Sequence, residues 1–125
     1  MGGNVDTTDL AANIAGMQAH VVRFVGGTNA VTKVAGTGPG MAVTYISAGV
    51  VDLDWSGNAN NPGTFVGMVA LFQATTPADV RLYVAVPGAY NSSTKKLRVS
   101  MYESGSVTNL AALEWLTCVC FFQVV

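Results

Sequence analysis

Apolar and polar residues alternate along most of the chain with the period of two that is typical of β-strands. The clearest case is GVVDLDW at 49–55, in which Val51, Leu53 and Trp55 point one way while Asp52 and Asp54 point the other. This pattern predicts a strand with one buried side and one solvent-facing side. Alternating, β-branched or long apolar runs predict further strands at 20–25, 30–35, 41–47, 64–74, 80–86 and 97–103.

Turn-forming sequences separate these runs. The residues GGTN that follow residue 25 are typical of a β-hairpin turn. By contrast, SGNANNPG (56–63) and PGAYNSSTKK (87–96) have the composition of loops. Short strands at this spacing predict an all-β protein, a β-sandwich of jelly-roll type. Only TDLAANIAGM at 8–17 fits a short helix. We therefore expect residues 1–18 to form an N-terminal arm or helix and residues 19–125 to form a single β-sandwich domain.

The C-terminal run LTCVCFFQVV is apolar on both of its faces. One face carries Leu116, Cys118, Cys120, Phe122 and Val124, and the other carries Val119, Phe121 and Val125. A strand of this kind has to be covered on both sides. Since each sheet of a lone sandwich turns one face to water, we expect another subunit or a larger assembly to provide the second cover.

Charge is scarce in this sequence. Charged residues make up 10% of the chain, against roughly a quarter in ordinary soluble domains. This deficit suggests that much of the surface faces protein. The net charge of −1 gives no reason to expect nucleic acid as a partner. No apolar stretch approaches the length of a membrane span, and the N-terminus does not resemble a signal peptide, so we expect synthesis in a cytoplasm.

The residues that could carry chemistry form no catalytic constellation. Cys118 and Cys120 are two residues apart, with His20 at the opposite end of the chain, so a zinc site lacks ligands and a disulfide would be strained. We interpret both cysteines as buried residues of the hydrophobic core. Asp52 and Asp54 lack a calcium loop and are interpreted as a solvated strand face, although an ion there stays open.

Aromatic residues offer one further possibility, a sugar-binding platform. Trp55 and the tyrosines could line such a site, but packing is their commoner role in strands. His20 has no nucleophile placed beside it by any motif. We therefore expect no enzyme activity, no catalytic or metal site, no cofactor and no small-molecule substrate.

The second half of the chain, FVGMVALFQATTPADVRLYVAVPGAYNSSTKKLRVSMYESGSVTNLAALEWLTCVCFFQVV, resembles small β-rich virion proteins of tailed bacteriophages. Such chains end in strands separated by segments like PGAYN and NLAALEWL, before a hydrophobic last strand. The resemblance covers roughly residues 64–125 and rests on pattern as much as on motif. It implies a capsid decoration (cement) protein or a piece of tail or fibre, usually trimeric, located in the virion after synthesis in the bacterial host.

From this resemblance and the apolar last strand we expect a homotrimer that binds the major capsid protein on the capsid surface and stabilises the shell. The residues expected at the subunit contact are Trp115, Leu116, Phe121 and Phe122. The residues expected to contact the capsid lie in the arm: Val5, Leu10 and Ile14. Two alternatives stay open at this point, a tail-fibre or spike component and a carbohydrate-binding module, both of which would contact host glycans.

Overall fold

The structure, a computed structural model, describes residues 16–57, 62–73, 83–103, 105–108 and 114–123. These residues form nine β-strands, which pair only in antiparallel fashion. The strands are β1 (Met17–Gly27), β2 (Ala30–Lys33), β3 (Ala42–Ser47), β4 (Val50–Asp54), β5 (Thr64–Gln73), β6 (Tyr83–Asn91), β7 (Lys96–Glu103), β8 (Ser106–Val107) and β9 (Trp115–Gln123).

The strands form two sheets. Sheet A has the order β2-β1-β9-β5, and sheet B has the order β3-β4-β7-β6, with β8 pairing to β7. Their inner faces meet in one hydrophobic core. The predicted all-β sandwich is therefore confirmed, while the jelly-roll form of it stays a prediction. β1 begins at Met17, inside the segment that the sequence assigned to the arm. The arm or helix itself falls on residues before Gly16 and lies outside the described residues.

The last strand occupies the middle of sheet A. β9 pairs along its length with β1 on one side and with β5 on the other. Three positions in register show how the rows run across the sheet: Val21 lies opposite Val119, which lies opposite Val69. Because side chains alternate along a strand, each such row belongs entirely to one face of the sheet.

The core is built from the alternate residues that the pattern predicted. In β4, Val51 and Leu53 are completely buried, and so is Trp55 directly after it. Sheet A supplies the opposite layer from β1 and β9. The completely buried or nearly buried apolar residues are Val22, Phe24, Met41, Val51, Leu53, Trp55, Leu97, Val99, Met101, Leu116, Cys118, Cys120 and Phe122.

The segment 87–96, predicted as a loop, is mostly strand. β6 continues through Pro87 and Gly88 to Asn91, with a register shift against β7 between Pro87 and Tyr90. β6 lies at the edge of sheet B. An edge strand has a ladder partner on one side only, so it tolerates a proline and a local irregularity. The turn itself is short, and Asn91 closes it by accepting hydrogen bonds from the backbone N–H groups of Ser93 and Thr94.

The hairpin predicted from GGTN is confirmed. β1 and β2 pair up to Gly27 opposite Ala30, so that Thr28 and Asn29 form the turn. Asn29 adopts a φ of 49°, a left-handed conformation that asparagine tolerates better than most residues. The turn therefore fixes the register of the two strands that begin sheet A.

Candidate functional site

A cluster of aromatic rings fills one part of the core, and Phe122 lies at its centre. The centroid of the Phe122 ring is 5.1 Å from that of Trp55, 5.1 Å from that of Tyr90, 5.3 Å from that of His20 and 5.6 Å from that of Phe65. All four contacts are edge-to-face, the arrangement that aromatic quadrupoles favour. The cluster ties β9 and β5 of sheet A to the strands of sheet B.

Trp55 is completely buried in this cluster. Its ring packs between those of His20, Tyr90 and Phe122. A sugar platform needs an exposed ring face against which a pyranose can stack. The sugar-platform hypothesis is therefore wrong for Trp55, because its ring is buried among other core residues and has no exposed face.

His20 completes the hydrogen bonding of this cluster. The indole Nε1 of Trp55 donates to Nδ1 of His20 across 3.3 Å. Burial lowers the pKa of His20 below its ordinary value, because a charged imidazolium is poorly solvated there. His20 therefore acts as a neutral acceptor for a buried indole N–H.

Both cysteines are free, buried members of the core, as predicted. Burial raises the pKa of Cys120 to about 12 and raises that of Cys118 as well, with the neighbouring thiol adding to the second shift. The thiolate is the form that attacks electrophiles and binds metals. These thiols therefore act as small apolar side chains.

The two aspartates of β4 are both paired with cations of β7. Asp52 lies directly opposite Arg98, whose Nε and Nη2 donate to the two carboxylate oxygens at 2.9 and 3.2 Å. Asp54 lies opposite Lys96, with the ammonium nitrogen 4.0 Å from a carboxylate oxygen. Partial burial opposes ionisation of Asp54, but hydrogen bonds from Ser56 and the charge of Lys96 outweigh it and lower its pKa.

This pairing changes the interpretation of the aspartates as a solvated face. Asp52 is only 6% exposed, and the long side chain of Arg98 lies next to it. Both of its oxygens accept hydrogen bonds from that guanidinium. Among the described residues no group of three or more histidines, cysteines, aspartates or glutamates is placed to hold a metal ion.

The outer face of sheet A is apolar across three neighbouring strands. The exposed side chains at its flanks are Val21 of β1 and Val69 and Leu71 of β5, at 44%, 50% and 59% exposure. Val119 and Phe121 of β9 lie between them and are partly buried. We call these five residues the sheet A patch. Isolated exposed valines are ordinary, but a contiguous set on a flat sheet marks an interaction surface.

Among the residues that the structure describes, one cation borders the sheet A patch. Arg23 of β1 lies in the row of Leu71, and its guanidinium carbon is 5.4 Å from the centroid of the Trp115 ring. Nη2 of Arg23 donates to the side-chain oxygen of Gln73. The Arg23 guanidinium is therefore held against sheet A by the Trp115 ring and the Gln73 side-chain amide.

The outer face of sheet B has a second, smaller set of exposed apolar residues. Val84 and Val86 of β6 are 61% and 46% exposed, and Val107 of β8 is 42% exposed. We call these three the sheet B patch. It is bordered along β7 by Ser100 and then by the rows of ion pairs between β4 and β7. Polar residues therefore limit the exposed apolar area on the outer face of sheet B.

The structure separates the four residues expected at the subunit contact. Leu116 and Phe122 are completely buried within the chain, at 1% and 0% exposure. A second chain has no access to them, so the expected set is corrected for these two residues. Trp115 and Phe121 are on the opposite face of β9, where a contact with another subunit stays a prediction.

The residues expected at the capsid contact, Val5, Leu10 and Ile14, lie outside the described residues. The sequence also missed Val21, Val69 and Leu71 as surface residues. Val69 and Leu71 belong to an apolar run in which nothing marks the outward side, whereas Val21 shares its side of β1 with Arg23. Pairing with Val119 and Thr117 of β9 places all three on one face.

Comparison with known proteins found no matching family model, no matching curated protein and no matching solved structure. Within the described ranges, no helix is long and apolar enough to cross a membrane.

Proposed function

We propose that the protein is a non-enzymatic structural protein of a phage virion, a capsid decoration protein that forms a homotrimer and stabilises the shell by binding the major capsid protein. The observation that carries this proposal is the exposure of apolar patches on the outer faces of both sheets. A protein that joins its own copies to a shell needs two such surfaces. The resemblance of residues 64–125 to phage virion proteins is the reason for proposing a phage virion as its location.

The state of the chemically capable side chains supports a constructional role. The thiols of Cys118 and Cys120 are buried with raised pKa values, and both oxygens of Asp52 accept hydrogen bonds from Arg98. His20 accepts a hydrogen bond from a core tryptophan. Each of these groups holds the sandwich together.

The mechanism is selective binding of one state of the shell. A protein that binds only expanded heads adds a free energy of RT ln(1 + [L]/Kd) per site, about 2.7 kcal/mol at a concentration one hundred times Kd. Summed over many sites, this resists the outward pressure of packaged DNA. The shell contact is proposed for the arm residues Val5, Leu10 and Ile14, for the predicted loop at 56–63, for the β6–β7 hairpin at 87–96 and for the sheet B patch.

The direct test uses empty heads of the phage that carries this gene. Purified protein should co-sediment with expanded heads, should not co-sediment with unexpanded ones, and should raise the temperature at which expanded heads rupture. Absence of binding to both kinds of head would contradict the proposal. Binding to a host glycan without binding to heads would instead identify a fibre or spike component.

A deletion separates the shell contact from the fold. Protein lacking residues 1–16 should keep its strand content and its assembly state but should no longer bind expanded heads. The described strands begin at Met17, so the deletion removes none of the strand residues that the structure describes. Unchanged binding by the shortened protein would remove the arm from the mechanism.

A further inference from the structure

We infer that the sheet A patch is the surface through which copies of this chain pack on one another, with β9 nearest the symmetry axis. The proposed function supplies only the reason for assembly, and the geometry of sheet A supplies the surface. The patch holds Val119 and Phe121 at its centre, and Val21, Val69 and Leu71 at its flanks.

The sheet is large enough for a specific contact. Three strands spaced ~4.8 Å apart, each about as long as the nine residues of β9 at ~3.4 Å per residue, and the four residues of β2 give an outer face of about 500 Å². Two such faces together cover about 1,000 Å², which reaches the area that a specific interface needs. Flat sheet faces also pack well on one another, at a spacing of about 10 Å.

The patch is complementary to a copy of itself. When two or three copies turn β9 toward a common axis, Val119 and Phe121 of each copy meet apolar residues of the others. At the flanks, β1 of one copy then faces β5 of the next, which sets Val21 against Val69. The copies therefore bring apolar surface to apolar surface in two central rows, that of Val119 and that of Phe121.

The position of Arg23 also fits this packing of one copy on another. Arg23 is on β1, in the row of Leu71, so packing β1 against β5 places it over Leu71 of the next copy and away from the other Arg23. Its guanidinium already contacts the Trp115 ring and the Gln73 side chain. Covering this edge of the patch therefore brings no like charges together.

Sheet B is less suited to contact between copies. Its patch is confined to β6 and β8, and the rows Asp52–Arg98 and Asp54–Lys96 take up the neighbouring part of the face. Burying those rows would remove water from two ion pairs. The sheet B patch therefore serves as the control surface for self-association, because its valines are about as exposed as those of the sheet A patch.

The test compares a charge introduced on each face. Val69 of sheet A and Val86 of sheet B are 50% and 46% exposed, and both are in edge strands. The variants Val69→Asp and Val69→Lys should each weaken self-association at least about 30-fold, since a charge would be buried in the contact between copies. Val86→Asp and Val86→Lys should leave self-association unchanged. Using both signs of charge excludes a new ion pair with Arg23 as the cause.

Sedimentation velocity at low micromolar concentration measures self-association, and circular dichroism confirms that each variant is folded. Leu71→Lys, at a 59% exposed position of the same patch, is the second variant and should dissociate in the same way. A wild-type protein that is monomeric, or Val69 variants that assemble as well as the wild type, would overturn the inference. So would equal dissociation of the Val86 variants.

Failure of this inference and failure of the proposed function give different results. Self-association is measured on the purified chain alone, without heads. If the chain assembles through sheet A but does not bind expanded heads, the interface stands and the decoration function is wrong. If it binds heads as a monomer, the function stands and the interface is wrong.

Discussion

Phe121 and Phe122 are consecutive residues of β9 that belong to opposite faces of sheet A. Phe122 is completely buried, with its ring at the centre of the aromatic cluster. Phe121 is on the outer face, in the row of Ala19 and Gly67. Of these two neighbouring rings, one therefore packs in the chain's own core and the other lies on the outer face of the sheet.

The first prediction concerns these two rings. Phe122→Ala should lower the free energy of unfolding by about 3–5 kcal/mol, because it leaves a cavity among four other rings. Phe121→Ala should lower it by much less, since that ring is not part of the core. Urea denaturation in the Val69→Asp background, where assembly does not contribute, gives both values. Equal losses for the two variants would contradict the assignment of faces.

The second prediction concerns the ion pairs between β4 and β7. Arg98→Met should lower the urea midpoint more than Lys96→Met does. Asp52 is nearly buried and loses both hydrogen bonds from the Arg98 guanidinium, whereas Asp54 keeps the hydrogen bond from the Ser56 N–H. The Lys96 variant is the matched control, because it removes a cation from the next row of the same strand. A larger effect at Lys96 would show that Asp52 does not depend on Arg98.

The third prediction concerns the thiols. With a pKa of about 12, roughly one Cys120 side chain in ten thousand is ionised at pH 8. A chromogenic disulfide reagent at pH 8 should therefore modify neither cysteine while the protein is folded. In denaturant, both cysteines of the chain should react within minutes. Rapid reaction of either thiol in the folded protein would mean that the inner face of β9 is not covered by sheet B.

The fourth prediction concerns the pH dependence of stability. Burial lowers the pKa of His20 in the folded state, so the unfolded chain takes up a proton first as the pH falls. Its contribution to stability is complete above the unfolded pKa of about 6.5 and is lost as the pH falls toward the folded pKa, with a slope of at most about 1.4 kcal/mol per pH unit. His20→Gln should lack this slope, and carboxylates contribute equally to both proteins.

His20 is the chain's single histidine, so NMR measures its pKa without an assignment problem. The imidazole signals should titrate below pH 6.5. A titration midpoint at or above that value would contradict the buried acceptor role toward Trp55.

The sequence predicted the faces of β4 correctly for a physical reason. Val51, Leu53 and Trp55 alternate with two aspartates, and a carboxylate is costly to bury without a partner. The charge therefore marks the outward side. What the sequence could not reveal is that Arg98 covers Asp52, because the register between β4 and β7 depends on the whole sheet.

The same reasoning explains the error at β9. Both of its faces carry large apolar residues, and just Thr117 and Gln123 mark the outward side, so the local signal is weak. That choice is made by β1 and β5, which contribute Val22 and Phe65 to the inner side and Val21 and Val69 to the outer one. Assigning Leu116 and Phe122 to a subunit contact failed because the inward side of β9 follows from long-range pairing.

The central claim is that other copies of the chain cover the outer face of sheet A. Light scattering behind size exclusion, run on the wild-type protein over a dilution series into the low micromolar range, tests it most directly. The account predicts a mass that is a whole multiple of the chain's 12.9 kDa, three chains for the proposed homotrimer. A stable mass of 12.9 kDa at every concentration would contradict it.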